Sequence, residues 1–409
     1  MRSPTISRRF TLPLVLVAAG LIPAFASCAE AEDSHGPQDD ASVSIPEAGA
    51  AEMDGSQDAG VVEGGGCDAS EPGCVSEAIT CEQAPWCPVQ TNVSTRFVLK
   101  GVWGSGPNDV WVVGSGGSIS HWDGTAWTLT PTGSKNTFHA VWGSGPNDVW
   151  AVSMTDAIFH STGFANGSAA WEQVPGATDS MTTMVAHTIW GTAAGDLRIG
   201  ARANMMDTGD GYDWVGQFVL TKDKDGNMAW RPELSGSVHG FWGTATDLWL
   251  IADDSARNNN GWNKGQTLHG VAAAKGDLTW TAVDSQSTLL LEGIWGSSAD
   301  DIWAVGDQGT LRRFKKGATR WEIVASPTKM PLHAVWGSAA DDVWAVGDAG
   351  TILHFDGSAW TQSLAAFPFG KKSDLYGVWG SSKNDVWIVG DGIALHYTGP
   401  KPGAQGGSQ

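Results

Sequence analysis

Basic residues, tyrosine and cysteine are all scarce in this chain. Only 24 of its 409 residues are Lys or Arg, against 44 Asp or Glu, and the net charge is −20. So few cations cannot neutralise many phosphates, which argues against nucleic acid and anionic membrane surfaces as partners. The five cysteines are too few for a disulfide-dense scaffold. The one marked apolar run, residues 10–26, is too short to span a bilayer comfortably. A Walker loop, a Ser-His-Asp spacing and a zinc-protease motif are all missing, so no catalytic residue is assigned.

What is abundant is tryptophan, with 23 copies, and glycine, with 54. The phrase Val-Trp-Gly-Ser-x-x-x-Asp-Val-Trp returns seven times in variant form, led by Trp103, Trp142, Trp190, Trp242, Trp295, Trp336 and Trp379. An aspartate follows at Asp109, Asp148, Asp196, Asp247, Asp301, Asp342 and Asp385. A second tryptophan stands at Trp111, Trp150, Trp249, Trp303, Trp344 and Trp387, while Leu197 breaks the third copy. A repeat of roughly 40–50 residues built from short strands means propeller blades. In the sixth copy the pattern predicts strands over 332–336, 343–346 and 351–355, with a fourth opening at Trp360 and turns at Gly347-Asp348-Ala349-Gly350 and Asp356-Gly357.

A closing tryptophan also recurs, at Trp127, Trp171, Trp230, Trp280, Trp321 and Trp360, but the last copy has none of its own. Trp86 lies ahead of the first copy at the right distance to supply it. The expectation is an all-β, seven-bladed propeller over 81–400, closed by an N-terminal strand that removes open sheet edges. The regular tryptophans are then core, each burying on the order of 200 Å².

The ends read differently. Residues 1–28 carry Arg2, Arg8 and Arg9 before the apolar run and end in Phe25-Ala26-Ser27-Cys28, which resembles a bacterial lipobox. The resemblance implies lipidation at Cys28 and an exported cell-envelope lipoprotein, placed at the outer membrane because Ala29 is not the aspartate that retains such proteins at the inner one. An ordinary secretory peptide is the other reading, and Sec or Tat export stays open. Residues 29–80 hold thirteen acidic residues and no Lys or Arg, the composition of a disordered acidic linker, and 401–409 read as a disordered tail. Cys67, Cys74, Cys81 and Cys87 read as two disulfides of open pairing, with Cys81 and Cys87 bracketing Trp86.

The segments WAVGDQGTLRRF (residues 303–314) and WAVGDAGTILHFDGSAWT (residues 344–361) resemble repeats of photosystem II assembly- and stability-factor-like propellers and of secreted bacterial propellers with VWGS and DVWAVG repeats. Asp356-Gly357-Ser358-Ala359-Trp360 is more distantly similar to the Asp-box of sialidase-like proteins, where it is a turn. The resemblance implies a seven-bladed binding propeller with no catalytic residues.

Function should sit where the copies differ. The third and fourth copies run 52 and 53 residues between leading tryptophans, against 39 to 43 in the regular ones. The excess, near 201–213 and 253–264, is expected as two neighbouring loops on one face. Candidate ligand-binding residues there are Met206, Asp210, Tyr212, Asp213, Trp214, Arg257, Asn259 and Trp262, a set suited to stacking and hydrogen bonding with a polar ligand such as a sugar. Two tolerated surface insertions are the alternative. Three residues before each leading tryptophan stand Lys100, His139, His187, His239, Glu292, His333 and Tyr376, a candidate ring at the channel mouth. Adjacent His139, His187 and His239 invite a metal reading, but ligands on separate blades are ill placed for bonds of roughly 2.0–2.1 Å to one zinc, so no metal is assigned. Hydrogen-bonded scaffold residues are the alternative to a ligand-lining ring. The third-strand histidines His121, His160, His269, His354 and His396 read as structural. No cofactor is expected; Asp207, Asp210 and Asp213 and the turn at 223–227 only suggest calcium.

The reading is a monomeric, non-catalytic envelope binding or assembly propeller, taking a protein or glycan on the face with the two inserts and meeting the membrane through its lipid alone. A lectin-like carbohydrate-binding protein and a polysaccharide-active hydrolase or lyase are the alternatives.

Overall fold

The computed structural model describes residues 74–75, 79–178, 181–192, 196–207, 212–222, 228–244, 246–253, 265–273, 278–397 and 399–400. They form seven four-stranded antiparallel sheets in consecutive order, joined by a two-stranded ribbon. In blade 6 the strands are Leu332–Ala339, Asp342–Gly347, Thr351–Phe355 and Trp360–Gln362, close to the expected spans and extended at the first hairpin. The turn at Asp356 is an Asx turn: its carboxylate accepts from the Ser358 and Ala359 amides at 2.9 and 3.0 Å.

Two tryptophan contacts build the ring. In every blade but the third, where Trp190 faces Arg198, the leading tryptophan lies directly opposite the second-strand tryptophan, as Trp336 opposes Trp344, so both rings face the next blade. There the leading ring covers the glycine that follows that blade's leading tryptophan. A Cβ added to Gly143, Gly191, Gly296, Gly337, Gly380 or Gly104 would fall 2.5–3.0 Å from Trp103, Trp142, Trp242, Trp295, Trp336 or Trp379 respectively. Trp379 over Gly104 joins blade 7 to blade 1. Further out, second-strand tryptophans meet closing tryptophans of the next blade edge to face, as in Trp303 with Trp360 (5.1 Å, 87°) and Trp344 with Trp86 (5.0 Å, 87°). Such pairs add about 0.5–1.5 kcal/mol beyond burial.

Within a blade, the repeated aspartate ties the hairpins together. Asp109 accepts from Ser105 Oγ (2.6 Å), Trp111 Nε1 (3.1 Å) and His121 Nε2 (2.7 Å). Burial raises its pKa, and the His121, Ser105 and Trp111 hydrogen bonds outweigh that and hold it below the usual carboxylate range. Asp148–His160, Asp247–His269, Asp342–His354 and Asp385–His396 repeat the contact at 2.7–2.9 Å. In blade 5, Arg313 takes the histidine's place, donating to both Asp301 oxygens and lying 4.7 Å over Trp303. These five histidines are structural, as expected.

The closure is also as expected. Trp86–Pro88 pairs with Ile393–Tyr397 as the fourth strand of blade 7, with Trp86 fully buried opposite Tyr397. A Cys81–Cys87 disulfide brackets it, Cα atoms 5.4 Å apart, and a loop of that size stabilises by about 2 kcal/mol in the chain-entropy account. Cys74 is disulfide-bonded too, to a partner outside the described residues. Cys74–Val75 pairs antiparallel with Gly370–Lys371, so ordered pairing begins before the expected boundary at 81. The signal region, most of the linker, including Cys28 and Cys67, and the tail lie outside the described residues.

Gly337→Ala is expected to lose roughly 1–3 kcal/mol, since the added methyl meets the Trp295 ring at 2.6 Å and the Asp342 carbonyl at 2.7 Å. Gly106→Ala, with nothing within 4 Å, serves as the control in the same urea titration.

Candidate binding face at the channel mouth

The innermost strands, among them Leu99–Gly106, Ala186–Gly191, Ser237–Gly243, Leu291–Ser298, Leu332–Ala339 and Leu375–Ser382, each begin with a break in register. Leu99 pairs with Gly114 and Gly101 with Val113, leaving Lys100 unpaired between them. The same break isolates His187, His239, Glu292, His333 and Tyr376. A β-bulge re-aims the extra residue, and here it does so in six of the seven blades. His139, in blade 2, stands one residue ahead of the strand Ala140–Gly145. Small residues follow the bulge because space is short: a Cβ on Gly101 would lie 3.3 Å from the Ala140 Cα of the next blade.

The ring divides into two sectors. In one, Lys100 Nζ sits 3.3 Å from the Tyr376 ring centroid, and Tyr376 packs on His333 at 5.2 Å. His333 Nε2 meets Asp348 Oδ1 at 2.7 Å. Burial lowers the Lys100 pKa, opposed by Asp391, Asp374, Asp348 and Glu292. Burial, reinforced by Asp374, Asp391 and Asp348, raises that of Tyr376.

The other sector is imidazole-rich. His187 stacks on His239 at 5.1 Å and 22°, and His239 Nε2 meets Asp253 Oδ2 at 2.8 Å. Burial pushes His187 down to about 4, aided by His239, His139 and Arg202 and opposed by Asp253. His139 is lowered by burial and by Lys100. Both are neutral at pH 7 and can donate or accept. Among the described residues no group of three or more His, Cys, Asp or Glu could hold a metal ion.

The blade 3 insert shares this face but is not the expected loop. The second and third strands simply run on, as Leu197–Asp207 and Tyr212–Lys222, and make an extended hairpin. Pairing between them breaks over Ala201–Ala203 and resumes at Asn204, with Met205 opposite Trp214 and Met206 opposite Asp213. Met205 and Trp214 are exposed, at 52% and 37%. Met206 turns inward instead and, partly buried, packs against Met184, Ala201, Val215 and Phe218. The hairpin leans on blade 4, where Ser237 Oγ accepts from the Ala203 amide at 3.1 Å.

The Tyr212 and Asp213 side chains, Asp210, the calcium candidates at 223–227 and the second insert with Arg257, Asn259 and Trp262 lie outside the described residues. Sequence reasoning missed the part played by the acids Asp253, Asp348, Asp374 and Asp391 behind the ring. Asp348 and Asp391 carried a signal, the recurring Val-Gly-Asp phrase that ends the second strand.

No protein-family model matches the chain, and no curated protein does. Solved structures do match. One, described as YCF48 bound to D1 peptide, superposes with a TM-score of 0.58 at 18% identity, covering 79% of this chain and 100% of that one. YCF48 from Cyanidioschyzon merolae gives 0.55 at 16% identity, over 76% and 98%. The WD40 propeller domain of Doa1 gives 0.53 at 9%, over 77% and 95%. What is shared is the fold. The likeness to photosystem II assembly-factor-like propellers read from the repeats therefore holds in three dimensions.

His187 makes stability pH-dependent. Its folded pKa of about 4 lies below the unfolded 6.5, so between these values the unfolded chain binds more protons. The stability is present above pH 6.5 and is lost as pH falls toward 4, at a cost of about 3 kcal/mol. The drop in urea midpoint between pH 7 and pH 4.5 should be smaller in His187→Gln than in the parent.

Proposed function

We propose that this chain is a non-catalytic propeller that binds a segment of another protein on the face formed by the bulged ring and the blade 3 hairpin. The observation that carries the reading is the exposed Met205–Trp214 pair, displayed on the same face as the ring. Adjacent apolar side chains held out on a rigid hairpin have no role in the blade core. An aromatic and a methionine at the centre of a patch are common anchors in protein interfaces. On the same face Lys100, His187, His239 and the carboxylates behind them offer donors and acceptors of both signs to a backbone or polar side chain. A propeller of the same fold has been solved with a peptide, in the structure described as YCF48 bound to D1 peptide, which supports a protein ligand over a sugar.

The reading includes an envelope location, with the propeller held through a lipid on Cys28. Palmitate labelling of the full-length chain in a bacterial host is expected, with loss in Cys28→Ser; equal labelling of both would remove the anchor from the proposal.

For the binding face, a photo-crosslinking residue at position 205 should capture a protein in the native host, and the same residue at exposed Ile323 on the blade 5 rim should not. Trp214→Ala should weaken capture about tenfold or more, as expected for an anchor worth 1.4 kcal/mol or above. Glycan-array binding lost in Trp214→Ala, without protein capture, would replace the reading with a lectin. Capture unchanged in Trp214→Ala would remove the hairpin from the site.

A further inference from the structure

The outermost strands are not equivalent. Five are three residues long: Trp86–Pro88, Trp127–Leu129, Glu172–Val174, Glu322–Val324 and Trp360–Gln362. Blade 3 has the longer Met228–Ser235, but Arg231, Pro232 and Glu233 interrupt it, which blunts an edge against further pairing. Blade 4 has Leu278–Val283, Leu-Thr-Trp-Thr-Ala-Val, six residues with no charge and no proline. Its inner side pairs with Gly265–Ala272 through all six residues. Among the described residues no strand pairs with its outer side, where Thr279, Thr281 and Ala282 are exposed. Half of the backbone N–H and C=O groups of such an edge point outward in a regular row, and an extended strand satisfies such a row directly.

The Val283 end of this edge opens into a cleft of about 730 Å³, walled by Ala282, Val283, Ser285, Gln286, Thr288 and Arg320. That lies within the range of ligand pockets, about 300–1,000 Å³. The cleft floor is tied down by Arg312, which donates to the Ser285 carbonyl at 3.1 Å and the Gln286 carbonyl at 2.7 Å. Arg320 stands at the end of the edge, because it forms a parallel bridge with Asp284, the residue after Val283. Its guanidinium lies against the Gln286 side-chain amide, and no carboxylate pairs with it among the described residues. The blade 4–5 connection that lines the cleft is on the same side of the disc as the bulged ring.

We propose that the outer edge of blade 4 is a strand-addition site, at which an uncharged extended peptide pairs in parallel with Leu278–Val283 and sets its C-terminal carboxylate on Arg320. The backbone row demands an extended chain, and the absence of charge on the edge favours an uncharged one. The Arg320 guanidinium at the Val283 end, held by the Gln286 side-chain oxygen and facing no carboxylate among the described residues, fixes the direction: a terminal carboxylate reaches it only when the peptide runs parallel to the strand. Arginine suits that group because its fork matches a carboxylate in two parallel hydrogen bonds. The site is separate from the blade 3 hairpin and does not depend on it.

The test uses the intact chain and the peptide acetyl-Val-Thr-Val-Thr-Val-Thr with a free C-terminal carboxylate, followed by fluorescence anisotropy of a labelled version. Saturable binding is expected. N-methylation of alternate peptide amides should weaken it at least about tenfold, since it removes the ladder without altering the protein. Converting the carboxylate to an amide, or Arg320→Gln, should each weaken it about three- to tenfold, and the two together no more than either alone. No binding up to millimolar peptide, indifference to N-methylation, or additive effects of the amide and Arg320→Gln would each overturn the site. Binding lost in Trp214→Ala but kept in Arg320→Gln would also overturn it, while leaving the hairpin-face reading intact.

Discussion

An indole of one blade lying over a glycine of the next is the contact on which the rest of the molecule depends. Sheets in a propeller are related by rotation, and their inner strands converge until little more than backbone fits between them. Trp103 reaches across to Gly143, Trp142 to Gly191, and Trp379 on Gly104 joins the last blade to the first; at Gly243 alone of the glycines that follow leading tryptophans the nearest atoms are backbone rather than an indole. Each contact fixes both spacing and angle, because the ring is rigid and the glycine has no side chain to yield. The phrase Trp-Gly is therefore a two-sided instruction: the tryptophan acts on the next blade, and the glycine answers the previous one.

The carboxylates work in the other direction, inside a blade. Asp109, Asp148, Asp342 and Asp385 are drawn from water and compensated by a hydroxyl, an indole or an imidazole at the required spots. Removing one partner would leave a half-buried charge with fewer donors, which costs more than the bond itself contributes. Blade 5 shows that the requirement is for a donor rather than for histidine, since Arg313 meets it with two bonds. The ring at the channel mouth then becomes free to vary. Its residues are bulged out of the ladder, so Lys, His, Glu and Tyr can occupy equivalent places without altering the blade.

Nearly all of the fold was legible in the sequence, and little of the site was. The spacing of tryptophans and aspartates revealed seven blades, and the orphan Trp86 revealed the closing strand, because both follow from counting along the chain. The ring positions were legible for the same reason, though not the bulge that makes them special. Which of Met205 and Met206 faces solvent is decided by alternation along the extended hairpin, and an insertion read as a loop carries no such parity. Asp348 was taken for a turn residue; it is that, and with Asp391 and Asp374 it also sets the field around Lys100. That role appears only when separate blades are brought side by side.

The closing strand has a consequence for the order of events in folding. Trp86–Pro88 is among the first parts of the blades to be synthesised, yet its partner Ile393–Tyr397 is nearly the last. Blades 1 to 6 can each form from contiguous sequence as it emerges, whereas blade 7 must wait for a chain end that closes the longest loop in the molecule. Until then Trp86 has no pocket, and Trp344 lacks part of its cover. The Cys81–Cys87 link spans so short a loop that it can form without the rest of the protein. Oxidation can thus shape the latch early, while the ring it will fasten is still being made.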